Sequence, residues 1–156
     1  MKIEYINPFL NSAKKVIETM CMTPVKAGKP DIKKDKMTFG VVTGVIGMAG
    51  TNVSGNMIIS FDEPSILNMV NTMLGETFTT ICPEIVDAVG ELTNMISSGA
   101  KKDLAEAGLA IDMAVPIMLV GKGAELKQLS NEVCIQIPFE TSAGKFVIET
   151  NLAAKK

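Results

Sequence analysis

The chain has 156 residues, is 47% hydrophobic, and carries a net charge of −2 from 15 basic side chains, all lysine, and 17 acidic ones. That size and balance fit one globular domain, expected to span 1–156, and near-neutral charge gives nucleic acid or an anionic membrane no bulk attraction. There is no His, Trp or Arg, which removes Ser–His and Cys–His relays, imidazole metal ligands and any guanidinium clamp for phosphate.

From Asn7 to about Met22, apolar residues at Phe9, Leu10, Ala13, Val16, Ile17, Met20 and Cys21 recur at steps of three and four. That is the period of an amphipathic helix, with Asn7-Pro8 as its expected start. Lys26 to Lys36 holds five lysines, two aspartates, a glycine and a proline, and is expected to be a solvated connector. Two runs rich in Val and Ile, Thr38 to Gly47 and Asn52 to Phe61, predict a β-hairpin turning at Met48-Ala49-Gly50. Its glycines match neither a dinucleotide-binding fingerprint nor a P-loop.

Asp62-Glu63-Pro64-Ser65 has the acidic cap and early proline of a helix start, and Gly75 closes that short helix. A longer helix opens at Thr79–Glu84 and runs to about Ala107, ended by Gly108. Three strand-like runs follow, Ala114 to Val120, Glu132 to Phe139 and Lys145 to Leu152, the last two joined by the turn Thr141–Gly144. Helices and strands in separate groups predict an α+β fold: a mainly antiparallel sheet from two hairpin-containing halves, covered by three helices. Cys21, Cys82 and Cys134 are widely spaced and odd in number, so neither a zinc site nor a disulfide framework is expected, and a reduced, cytoplasmic setting fits. Glu4 and Asn7 interrupt the opening apolar residues, unlike a secretory leader. The expected membrane interaction is none, because no apolar run approaches ~18 residues.

The long helix is the informative segment. At about 100° per residue, Ile85, Ala88, Val89, Leu92, Ile96 and Gly99 share one face. Glu84, Asp87, Glu91, Asn94, Ser98, Lys101 and Lys102 share the opposite one. Glu91 and Asn94, three apart, are neighbours on that polar face. One is an acceptor that stays anionic at neutral pH. The other is a neutral amide that can both donate and accept. A carboxamide is no general base, but it can hold a water in line for attack, as a glutamine does in small GTPases. A solvated helix face is the plainer reading of the spacing.

Asp87-x3-Glu91-x2-Asn94, followed some twenty residues later by Pro116, resembles the signature of the CheC/CheX/FliY phosphatase family of bacterial chemotaxis. Gly90 and the run Met95-Ile96-Ser97-Ser98-Gly99-Ala100 are also similar to that family's helix, and Ile6-Asn7-Pro8-Phe9-Leu10 resembles the opening of its CheX branch. The first helix offers only Asn11 and Glu18, in the wrong order and spacing for a second acid–amide pair. One site per chain is again similar to the CheX branch.

The resemblance implies a phosphatase that hydrolyses the aspartyl phosphate of a CheY-type receiver domain. Asn94 would position the attacking water and Glu91 would pair with the receiver's lysine. Asp87, Ser98 and Lys101, on the same arc, would border the interface. No metal or cofactor of the chain's own is implied, because the receiver would supply Mg²⁺. A homodimer joined through sheet edges is implied as well. Two alternatives stand beside this reading: a non-catalytic module that binds receivers or assembles by its sheet edges, and a cysteine- or serine-dependent hydrolase. The second is disfavoured because no base is available near Cys82, Cys134 or Ser97.

Overall fold

The structure, a computed structural model, describes residues 3–126 and 133–154. Its elements in chain order are α1 (Ile3–Met20), β1 (Lys26–Ala27), β2 (Asp31–Ile32), β3 (Val42–Gly50), β4 (Val53–Phe61), α2 (Glu63–Leu74), α3 (Pro83–Glu106), β5 (Ile111–Met113), β6 (Ile117–Val120), β7 (Ile135–Glu140) and β8 (Lys145–Ala154). All strand pairs are antiparallel, in the order β1–β7–β8–β4–β3–β5, with β2 also on β7 and β6 also on β3. The expected α+β architecture of two hairpin-containing halves is therefore the observed one. The hairpins β3–β4 and β7–β8 meet where β4 pairs with β8, from Phe61↔Phe146 to Val53↔Ala154.

The helices cover one face of this sheet. Phe61, Phe139 and Phe146 stack across neighbouring strands beneath them, with ring centroids 5.1 and 4.7 Å apart, each such pair worth about 0.5–1.5 kcal/mol beyond its buried area. On α1 the buried stripe is Ile6, Phe9, Ala13 and Ile17, and the helix begins at Ile3, about one turn before the expected start at Asn7. Pro8 consequently lies inside the helix, and the apolar contact of Ile6 outweighs the one backbone donor that proline lacks. α1 and α3 touch closely: the Ser12 hydroxyl donates to Ile96 O at 2.6 Å, and a Cβ on Gly99 would sit only 2.3 Å from Ser12 Oγ.

Three further expectations need correction. The β3–β4 turn is Thr51-Asn52, because Ala49 still pairs with Ser54. Gly50 marks a close approach, since a Cβ there would lie 2.4 Å from Ala110 O. The strand expected over 114–120 is observed only as β6, and a further strand, β5, precedes it unannounced; Pro116, whose missing N–H cannot serve the ladder, lies in the break between them. The stretch after Val25 is not a free solvated connector. β1 and β2 pair with β7, and Lys33 reaches the opposite sheet face, donating to Glu149 and to Met37 O at 2.7 Å. The strand expected over 132–139 is observed as Ile135–Glu140; Glu132 lies outside the described residues. The segments after Lys33 and after Val120 bind each other across that opposite face, through Thr38 N–H to Ala124 O and Leu126 N–H to Lys36 O.

α2 keeps both expected ends: Asp62 as cap and Gly75 left-handed at φ 67°. Asp62 does more than cap. Its Oδ1 accepts from Ser65 N–H at 2.9 Å and its Oδ2 from Lys145 N–H at 2.8 Å, tying the helix to the start of β8. Asp62→Ala is expected to cost about 1–2 kcal/mol in urea titrations, because both donors lose their acceptor. Asp62→Asn, which retains one acceptor oxygen, should lose less.

Candidate active site

α3 begins at Pro83, whose fixed φ and absent N–H suit a first helical position. Ile85, Val89, Leu92 and Ile96 are fully buried, and this inner stripe fixes the helix's rotation about its axis. The same rotation leaves Glu84, Asp87, Glu91, Asn94, Ser98, Lys101 and Lys102 exposed. The buried arc is wider than the apolar pattern predicts, since Thr93 and Ser97 are buried too. Each satisfies its hydroxyl within the helix: Thr93 donates to Val89 O at 2.7 Å and Ser97 to Asn94 O at 3.0 Å. A polar residue that bonds its own helix backbone can be buried without a further partner.

Glu91 and Asn94 thus stand side by side on a rigid, two-sided scaffold. Among the described residues, neither side chain takes part in an internal hydrogen bond or ion pair. They rim a groove of about 650 Å³ between α3, the last turn of α2 and the β5–β6 break. Pro116, in the break between β5 and β6, lines the same groove, as do Asp87 and Glu84. The Glu84 carboxyl is held below its ordinary range by a hydrogen bond from its own backbone N–H and by one involving Cys82. Chemically the rim offers carboxylates that bind a cation and a carboxamide free to orient a water or a phosphoryl oxygen.

Not every candidate converges there. Ser98 is exposed on the same side of α3 but does not line the groove. Lys101 turns to Asp112 of β5, 3.1 Å away, and borders a separate depression. The pattern on α3 also gave no notice of Met73, Leu74 and Met118, which form the groove's apolar wall. Their only sequence signal was that the α2 stripe continues to Leu74 at the helix end, where it has no sheet left to cover.

A nucleophilic cysteine or serine finds no support in the geometry. Burial pushes the Cys21 thiol up to about 11, and burial followed by the nearby Glu149 carboxyl does the same for Cys134. Thiols at that level are not thiolates near neutral pH. The Ser97 hydroxyl is buried and already donates to the helix. Among the described residues, no group of three or more cysteine, aspartate or glutamate side chains is arranged to hold a metal ion, and no helix is long and apolar enough to cross a membrane.

Comparison with known proteins bears on the family and the fold. Residues 42–140 match the family described as chemotaxis phosphatase CheX. The CheY-P phosphatase CheX of Thermotoga maritima is 26% identical over 140 residues, covering 88% of each chain. A CheC-like superfamily protein from Shewanella sp. PV-4 superposes with a TM-score of 0.92 at 42% identity, covering 98% of this chain and 99% of that one. CheX from Borrelia burgdorferi, solved in complex with CheY, BeF3 and Mg²⁺, superposes with a TM-score of 0.76 at 28% identity, covering 99% and 100%. An open, mainly antiparallel sheet under three helices is the architecture of the CheC/CheX-like proteins. The chain belongs to the chemotaxis phosphatase CheX family.

Proposed function

We propose that this chain hydrolyses the aspartyl phosphate of a CheY-type receiver domain, with Asn94 and Glu91 as its catalytic residues. The observation that carries the reading is their exposure as an unpartnered, adjacent pair at the mouth of the Pro116 groove. Family membership and the complex formed by the Borrelia relative support the choice of partner.

An acyl phosphate is already a reactive electrophile, so the phosphatase need add only a positioned water and a docking charge. The Asn94 carboxamide accepts from the water's O–H and holds its oxygen in line with phosphorus. The new P–O bond forms as the bond to the aspartyl oxygen breaks, and the receiver carboxylate departs with the electron pair. Such positioning contributes several kcal/mol, within the roughly 7–11 kcal/mol available to ideal orientation. Glu91 pairs with a lysine of the receiver, fixing the approach of Asn94 and closing the pocket. The receiver supplies Mg²⁺, and the chain contributes no metal or cofactor of its own. Asp87 flanks the pair within the groove, with Ser98 and Lys101 further out along the interface.

The chain acts as a single domain in the cytoplasm and as a homodimer. The free side of the β5–β6 edge favours pairing with a second copy, since Val115, Ile117 and Val120 there are 85%, 64% and 62% exposed and an apolar sheet edge needs cover. The catalytic reading is tested by phosphate release from an acyl-phosphorylated CheY-type receiver with Mg²⁺, wild type beside Glu91→Ala. Wild type should shorten the phosphorylated lifetime, and Glu91→Ala should raise KM about tenfold while lowering kcat, as loss of a docking charge does. Phosphate loss no faster than from the receiver alone overturns the reading.

A further inference from the structure

The groove beside the catalytic pair has two unlike sides. Toward α3 it is edged by Glu84, Asp87 and Glu91, at spacings of three and four that align them in a row. None of the three carboxylates has a basic partner among the described residues. Opposite them the wall is apolar and open: Leu74 is 50% exposed, with Met73, Met118 and Pro116 beside it. Between the two lies Gly90, where an added Cβ would meet only Met118 Sδ, at 3.7 Å. The helix therefore has room at Gly90 for a side chain it does not carry.

The geometry points to this groove as a specificity-determining seat for the receiver domain: it takes an apolar side chain of the receiver that is flanked by one or more cationic residues. The inference rests on the phosphatase reading and deepens it. Continuity decides the occupant, because a partner whose phosphorylated carboxylate reaches Asn94 must lay its neighbouring surface over the space between Glu91 and Leu74. Charge complementarity decides the rest. A row of uncompensated carboxylates next to an apolar wall rejects an acidic segment and favours a basic one. Methionine suits such a wall, because its flexible thioether adapts to differently shaped side chains, so one groove can serve several related receivers.

Gly90→Leu is the decisive variant. It fills the groove from its floor and replaces a poor helix former by a good one, so the fold is not weakened. Gly90→Leu is expected to raise KM for the phosphorylated receiver by about tenfold or more, with kcat changed less than about threefold. Binding of the phosphorylated receiver to Asn94→Ala should weaken by the same factor when Gly90→Leu is added. Glu84→Gln with Asp87→Asn should slow association several-fold and flatten its dependence on salt. An unchanged KM and affinity in folded Gly90→Leu, verified by circular dichroism, overturns the inference, as does a change in self-association without a change in KM, which would make the groove a contact between copies. The two readings fail separately. Full turnover in Asn94→Ala sinks the catalytic assignment, whereas a dead Asn94→Ala beside an indifferent Gly90→Leu sinks only the groove.

Discussion

Asn94→Ala is expected to lower kcat for phosphate loss from the receiver by about 10²- to 10³-fold, a barrier increase of roughly 3–4 kcal/mol. KM should change by less than about threefold, because Glu91 and the groove still dock the partner. The change is safe for the fold: Asn94 is exposed on α3, its backbone carbonyl still accepts from Ser97, and alanine is the better helix former. A loss of turnover in this variant therefore reports chemistry and not unfolding. Asn94→Asp gives a finer reading. It retains an acceptor of the same shape but loses the donor, and it sets a second negative charge one turn from Glu91. A loss as large as that of alanine would mean that the neutral amide is required, both to hold water and to avoid repelling the phosphoryl group. Single-turnover phosphate release on a pre-phosphorylated receiver separates these effects, and wild-type rates in Asn94→Ala would remove the amide from the mechanism.

The outward acid–amide pair was legible because α3 obeys one simple rule. Its apolar residues occupy one stripe, so the polar face follows by rotation alone, and both Glu91 and Asn94 lie where the period puts them. The caps of α2 were legible for a similar reason: Asp62-Glu63-Pro64 and Gly75 act through their own local chemistry. The groove was not, because its far wall comes from Met73, Leu74 and Met118, residues brought to α3 by packing across the chain. Nor was the division of β5 from β6. One continuous strand over 114–120 was the expectation, with Pro116 inside it, whereas the pairing with β3 shows two pieces whose registers differ by one residue across the 114–116 break. Thr93 and Ser97 were misassigned by silence, since a hydropathy pattern cannot distinguish a hydroxyl facing water from one bonded back to its helix. The largest misreading was the lysine-rich stretch after Val25. Five lysines in eleven residues suggest solvent, yet one of them, Lys33, is drawn beneath the surface by a carboxylate that lies more than a hundred residues later in the chain.

That buried pair carries the second large expectation. The Lys33 side chain is 9% exposed and Glu149 only 2%, on the sheet face opposite the helices. Burial raises the Glu149 carboxyl above its ordinary range, Lys33 draws it back down by hydrogen bond and charge, and Asp35 raises it slightly. Lys33→Met keeps the length of the side chain and removes its charge, leaving a desolvated carboxylate without a cation. The expected loss is about 3–5 kcal/mol in a denaturant titration near neutral pH. The sign of its pH dependence follows from linkage. A folded-state carboxyl raised above its unfolded value binds more protons than the unfolded chain across the interval between the two, so stability falls as pH rises through that interval. Without Lys33 the folded value moves further up and the interval widens. Lys33→Met should therefore be penalised less at the acid end of that interval, where Glu149 can take up a proton, than above it, where it cannot. Lys33→Met with Glu149→Leu should recover much of the loss, because an apolar pair has no charge to desolvate. A small, pH-independent loss in Lys33→Met would mean that water reaches Glu149 and that the lysine-rich stretch is tied down by β1 and β2 alone.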